Sequence, residues 1–389
     1  MSDNEIQGAD PRRWFALITI ALAQLMVVLD ASIVNIALPH AQVALHITDA
    51  NRQWAITAYT LSFGGFLLLG GRIADFTGRK KTFIIGLGGF AFASLLGGLA
   101  WNQQALFAAR GLQGIFGALL APAALSLLSV TFTDAKERAK AFAVYGALSG
   151  VGAAIGLIMG GLLTQYANWR WCLLVNTPMA VIAIFLARKN VRESRVTKGD
   201  TQYDVPGAIT ATLGMLAIVY GVSEASTKGW TSTAALTFMI IGAVLIATFF
   251  ILETRVPHPL LPLRLFNRIR GGAYLSSILG GMGIFGMFLF MTFYFQNIHG
   301  YSAVKSGLCF LPFSLCVIIS AGSASKLLPK IGPRPLATVG LTMAAFGLLY
   351  LSTLTPTSSY FTHVLPGLML MSLGLGGVFV SQSTTALHD

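Results

Sequence analysis

Charge is scarce in this chain. Only 10% of its 389 residues are Asp, Glu, Lys or Arg, whereas a soluble globular domain carries roughly 25%, so a water-facing globule of this length is excluded. Acids are scarcer than bases, 14 against 26. Cysteine is nearly absent: Cys172, Cys309 and Cys316 fall in separate apolar stretches without paired spacing. That excludes a disulfide framework or a cysteine metal site and leaves them as apolar filler. The chain also lacks a Walker-type phosphate loop, a nucleophile elbow and any cluster of metal-ligating side chains. An ATP-driven pump and an enzyme are therefore without support, and no cofactor or metal is expected. Residues 1–11 are polar and include Asp3, Glu5 and Asp10; the apolar segment after them is too long for a signal-peptide core, so the first helix is expected to be kept.

What remains is hydrophobic. Apolar residues make up 55% of the chain and the mean hydropathy is +0.72. Windows of about 20 apolar residues place spans at 14–38, 53–71, 82–101, 105–131, 140–164, 171–188, 205–223, 234–252, 272–296, 304–325, 336–354 and 361–383. In hydrocarbon each backbone N–H and C=O must be satisfied within its own segment, and these runs lack the strict alternation of barrel strands. The predicted fold class is an all-α polytopic membrane protein of about twelve transmembrane helices.

The basic residues are sorted by this map. Of the 26, 21 fall in the N-terminal tail and alternate loops, from Arg12 and Arg13 to Lys330 and Arg334; Arg52, Arg170, Lys228 and Lys305 fall on the other side, and Arg110 lies inside a span. Cytoplasmic loops hold the Lys and Arg excess, so both termini are predicted to be cytoplasmic, in an inner or plasma membrane. The net charge of +12 then reflects topology and contact with anionic membrane lipids. A nucleic-acid partner, which needs its charges clustered on one soluble face, is not expected.

One gap between spans is the most informative stretch: Gly71-Arg72-Ile73-Ala74-Asp75-Phe76-Thr77-Gly78-Arg79-Lys80-Lys81. A degenerate copy, Ser325 to Arg334, aligns with Gly71 to Lys80 at a constant offset of 254 and has Pro329 where the first copy has Asp75. The Gly71–Lys81 spacing resembles the signature that major facilitator superfamily transporters carry between their second and third spans. Further motifs resemble the fourteen-span drug:proton antiporters of EmrB/QacA type in that superfamily. They are Leu29-Asp30-Ala31-Ser32-Ile33-Val34-Asn35-Ile36-Ala37-Leu38-Pro39 in span one, Arg110-Gly111-Leu112-Gln113-Gly114 in span four, Trp169-Arg170-Trp171 with Asn176 and Pro178, Pro257-His258-Pro259-Leu260-Leu261, and Tyr294-Phe295-Gln296. The resemblance implies a six-helix bundle over 1–198, an inserted two-helix linker over 199–256 and a partial second bundle over 257–389. On that count the chain stops two helices before the family pattern does.

Three groups of residues carry the functional expectations. A carboxylate inside an apolar helix costs about 2.5–3.5 kcal/mol on insertion scales and marks a cavity or a partner; Asp30 is such a carboxylate, and Arg110 lies at a similar depth in span four. Burial favours the neutral acid and a nearby guanidinium favours the ion. Asp30 and Arg110 are thus candidates for coupling to protons or cationic substrate, with a static ion pair or a local polar patch with Ser32 and Asn35 as the plainer alternative. The second group, Gly71, Arg72, Asp75, Gly78, Arg79 and Lys80, combines glycines suited to close approach and a tight turn with an acid able to accept from a helix start or to pair with a base. The resemblance implies a gating latch there, with Phe76 where the family usually has Arg; ordinary topology anchors are the alternative. The third is the glycine face of span five, Gly152, Gly156, Gly160 and Gly161, suited to close helix packing; the family motif at the interface between halves has proline where this chain has Leu157.

Together these imply a secondary-active, proton-coupled exporter of amphipathic or cationic small molecules, with the proton gradient as its energy source. Two alternatives stay open: a facilitator for one metabolite or lipid, and a truncated, non-transporting membrane protein.

Overall fold

The computed structural model describes residues 12–49, 51–194, 204–256 and 268–387, and among them it is helical with no strand. The helices are α1 (Arg13–Ala44), α2 (Trp54–Thr77), α3 (Arg79–Gly98), α4 (Gln103–Thr131), α5 (Ala135–Tyr166), α6 (Trp171–Leu174), α7 (Asn176–Asn190), α8 (Val205–Lys228), α9 (Thr233–Glu253), α10 (Arg268–Phe293), α11 (Ala303–Cys309), α12 (Leu311–Ile331), α13 (Pro333–Leu351) and α14 (Leu365–Leu387). Every predicted span falls on one of these helices or a consecutive pair. Eleven stretches among the described residues are long and apolar enough to cross a membrane. The fifth predicted span lies in α5, which runs without a break from Ala135 to Tyr166.

Prolines explain the two interrupted spans. Pro178 cannot donate to the carbonyl of Leu174, where α6 stops, and Pro312 cannot donate to Leu308, beside the junction of α11 and α12. Two π-helical turns, Tyr294–Ile298 after α10 and Tyr360–Val364 before α14, have no counterpart in the sequence reading.

The repeat is visible in the backbone. Gly78, between α2 and α3, has φ +106°, and its counterpart Gly332, between α12 and α13, has φ +78°. Both occupy conformations that a side chain disfavours, so each copy is a one-residue hinge between two helices and not an extended loop.

The chain divides into two compact units. The first comprises Met1–Val27, Ala41–Gly146 and Leu173–Leu263; the second comprises Val28–His40, Ala147–Cys172 and Arg264–Asp389. In the first, α2, α3, α4 and α7 pack together around Phe83, Phe90, Leu120 and Leu127. The pair α8 and α9 joins this unit through α2, where Thr212 donates to the Gly65 carbonyl at 2.7 Å. The second unit is centred on Phe295, Phe310, Met371 and Leu375, with Ile36 and Leu157 in the same cluster. The predicted boundary at 198 and the Pro257–Leu261 motif lie outside the described residues.

Candidate functional site

Asp30 sits midway along α1 with none of its surface exposed. The turns on either side are held by α5: a Cβ at Gly156 would lie 2.9 Å from Ser32 Cβ and 3.1 Å from the Leu29 carbonyl, and one at Gly160 would lie 2.8 Å from Ile33 Cγ1. Two of the four predicted interface glycines therefore bring the α5 backbone against the turn that carries Asp30. Gly152 and Gly161 are buried on the same helix. The other side of α5 is equally close, since a Cβ at Gly307 of α11 would meet the Leu157 carbonyl. At 157 the proline of the family motif is absent and α5 runs unbroken through the position. Asn35, one turn from Asp30, donates to the Ala31 carbonyl at 3.0 Å, while its own Oδ1 is buried without a hydrogen-bond partner.

Arg110 belongs to the first unit and is 1% exposed. Its Nε donates to the Ala55 carbonyl at 3.0 Å and its Nη1 to Gln113 Oε1 at 2.8 Å. The guanidinium carbon lies 4.5 Å from the Tyr59 ring centroid. Gln113 passes the network on, donating from Nε2 to Ser94 Oγ at 2.6 Å. A buried guanidinium needs such a set of acceptors. Gln113 is three residues along the same helix face and was part of the Arg110–Gly114 motif, so the spacing already held this signal; Tyr59 and Ser94 had none.

The hinge around Gly78 corrects one expectation and decides between two others. Gly70, not Gly71, makes the close approach, because a Cβ there would meet the Ala118 carbonyl of α4, whereas one at Gly71 would lie 3.6 Å from Pro122 Cβ. Of the two partners open to Asp75, a helix start and a base, it takes the base. Its Oδ1 is 3.5 Å from Arg79 Nη2, and the helix start is capped by Glu193, whose two oxygens accept from the backbone N–H groups of Lys80 and Lys81 at 3.0 and 3.1 Å. The last turn of α7 and the segment after it add further ties: Lys80 Nζ donates to the Arg188 carbonyl at 2.9 Å, and Arg79 N–H donates to the Ser194 carbonyl at 3.0 Å. Sequence reasoning missed Glu193, which is 113 residues from Lys80 and lies in a basic stretch that reads as a topology anchor. It also missed the fork between Arg13 and Glu137, with Nε to Oε2 at 2.8 Å and Nη2 to Oε1 at 2.7 Å.

The three cysteines are buried and unbridged, and no grouping of His, Cys, Asp and Glu among the described residues could hold a metal ion. What the geometry offers is a buried carboxylate between close-packed helices, a buried guanidinium network and a hinged, clasped turn at the basic end of a helix pair.

The chain is 47% identical over 384 residues to the puromycin resistance protein pur8 of Streptomyces alboniger, covering 98% of this chain and 76% of that one. It is 35% identical to the cephamycin export protein CmcT of Amycolatopsis lactamdurans, covering 93% of this chain and 75% of the relative. The structure of the xylose transporter XylE from E. coli, in a partially occluded inward-open conformation, superposes with a TM-score of 0.64 at 13% identity, over 96% of this chain and 84% of that one. The sequence profile of the Major Facilitator Superfamily matches residues 20–389, and the chain belongs to that family.

Proposed function

We propose that the chain is a proton-coupled exporter of amphipathic or cationic small molecules, of the fourteen-span drug:proton antiporter branch, with Asp30 as the residue that carries the proton. The observation that carries this reading is Asp30 itself. It is fully buried in α1, beside turns that pack on the glycine face of α5, a position that costs free energy and marks a functional site. The relatives support the direction of transport, since one is named for resistance and another for export. The charge pattern supports a cytoplasmic position for both ends of the described chain.

Arg110 tunes this chemistry from within its own network, and the Gly78 hinge is the latch. The test is Asp30→Asn, which keeps shape and hydrogen bonding but removes the titratable proton. In inverted membrane vesicles supplied with a panel of neutral and cationic amphipathic compounds, the wild type is expected to accumulate cargo when a pH gradient is imposed. Asp30→Asn should insert normally and lose that accumulation, while Asp30→Glu keeps part of it. Unchanged accumulation by Asp30→Asn at every pH would make the carboxylate structural.

A further inference from the structure

Lys305 is out of place in the charge pattern. It is one of four basic residues on the side of the span map that otherwise lacks them. Two of the others are paired with acids: Arg52 Nη1 lies 3.5 Å from Asp49 and Lys228 Nζ lies 2.6 Å from Glu224. Arg170 stacks on the adjacent Trp169 at 4.8 Å. Lys305 makes no ion pair among the described residues; its Nζ lies 3.6 Å from the centroid of the Tyr301 ring.

That ring is a built surface. Tyr301 stacks on Phe295 with centroids 6.0 Å apart and planes at 10°, and His299 lies 5.3 Å away. Phe295 is buried and backed by Phe310 at 5.3 Å and Tyr360 at 6.1 Å. The backbone sets this arrangement. The π-helical turn Tyr294–Ile298 is followed by Gly300 at φ +62°, and Tyr301 N–H donates back to the Phe295 carbonyl at 2.8 Å. Ser302 then caps α11 by accepting from Lys305 N–H at 3.2 Å, which starts the helix so that the lysine stem lies back over the ring. Tyr301 is partly buried and Lys305 exposed, so among the described contacts of the ring the one over its face opposite the aromatic cluster is a flexible, solvent-exposed side chain.

We propose that this face of Tyr301 is a recognition site for a lipophilic organic cation, occupied in the resting protein by the chain's own ammonium, which the ligand displaces. The inference rests on the exporter reading above and adds the ring that receives the cationic group. The exchange has a physical direction. A primary ammonium is compact and strongly hydrated, so it leaves the ring readily for water. A tetra-substituted cation is weakly hydrated, keeps the attraction to the ring quadrupole and brings apolar groups to lie along the edge of the Tyr301 ring. Because Lys305 is tethered beside the ring, it acts as a competitor at high effective concentration.

The test uses the full chain in phosphatidylglycerol nanodiscs, whose headgroups supply no cation, and tetraphenylphosphonium as probe with triphenylphosphine oxide as its neutral counterpart. Lys305→Met is expected to tighten tetraphenylphosphonium binding about three- to tenfold and to leave the neutral probe unchanged. Tyr301→Leu should weaken the cation by a similar factor, and Tyr301→Phe should retain it. In the Tyr301→Leu background Lys305→Met should give no gain. A gain that persists there would be long-range relief of repulsion and would overturn the site, as would an unchanged or weaker affinity in Lys305→Met or no phosphonium binding by either wild type or Lys305→Met. If the gain disappears in phosphatidylcholine nanodiscs, the occupant is a lipid choline group and the substrate assignment is wrong. The exporter reading is judged separately, by the Asp30→Asn vesicle assay with its mixed panel.

Discussion

Glu193 and Gly78 depend on each other. The carboxylate of Glu193 lies within 2.6–2.9 Å of where a Cβ on Gly78 would be, so the glycine is needed both for its positive φ and for the space its missing side chain leaves. With the α3 start capped from the segment after α7, Asp75 takes the other role its position allows and pairs with Arg79, at 3.5 Å. That separates a fixed clasp from an acid available to change partners. We expect Glu193→Ala to cost about 1 kcal/mol, the usual worth of a helix N-cap, seen as a lower melting temperature of the purified protein. Gly78→Ala should cost more, about 1–3 kcal/mol, from backbone strain with the clash added. Asp75→Asn should leave the melting temperature near the wild-type value while changing transport. Equal destabilisation by Asp75→Asn and Glu193→Ala would refute this division. The acid at 75 and the glycine at 78 were legible in the sequence because their spacing is local. Glu193 was not, since only the folded first unit brings its segment to α3.

Helices pack closely wherever a glycine removes a side chain from the contact, and which glycine does so depends on a rotation of 100° per residue that sequence cannot fix. Gly70 and Gly71 are adjacent, yet only Gly70 faces the α4 backbone at Ala118. Gly70→Ala should therefore destabilise by about 1–3 kcal/mol through overpacking, while Gly71→Ala, with its nearest neighbour at an ordinary 3.6 Å, should leave thermal stability within error. A reversed order in a melting series would place α2 at the wrong rotation. The docking of α8 on α2 gives a second check: Thr212 is buried and donates to the Gly65 carbonyl, so Thr212→Val should cost about 1 kcal/mol. Helix positions were readable because long apolar runs bounded by charge have one solution in lipid. The Pro178 and Pro312 breaks were available in principle from the missing N–H groups. The π-helical turns at Tyr294–Ile298 and Tyr360–Val364 carry no such mark, being set by how the aromatic cluster of the second unit packs.

Across the whole chain, the repeat and the charge pattern constrain each other. Gly78 and Gly332 are both hinges of positive φ, each directly between two helices, and basic residues lie within two positions of both, Arg79 and Lys80 at the first and Lys330 and Arg334 at the second. The copies differ in one physical respect: among the described residues a Cβ at Gly332 would meet nothing within 4 Å, and none of them clasps the second hinge as Glu193 clasps the first. Both hinges fall on the same side of the membrane only if an even number of crossings separates them, and the twelve-span map places eight there. Parity can be tested with single cysteines, since Cys172, Cys309 and Cys316 are buried and unbridged and can be replaced without breaking a covalent link. Thr133, exposed after α4, and Asn297, exposed after α10, are separated by five predicted crossings. Asn297→Cys should react with a membrane-impermeant maleimide in intact cells, and Thr133→Cys only after the cells are permeabilised. Labelling of both in intact cells would mean that a crossing between them is miscounted. Labelling of Thr133→Cys alone would keep the count and invert the orientation, placing the Gly78 hinge outside and removing the basis for a cytoplasmic latch.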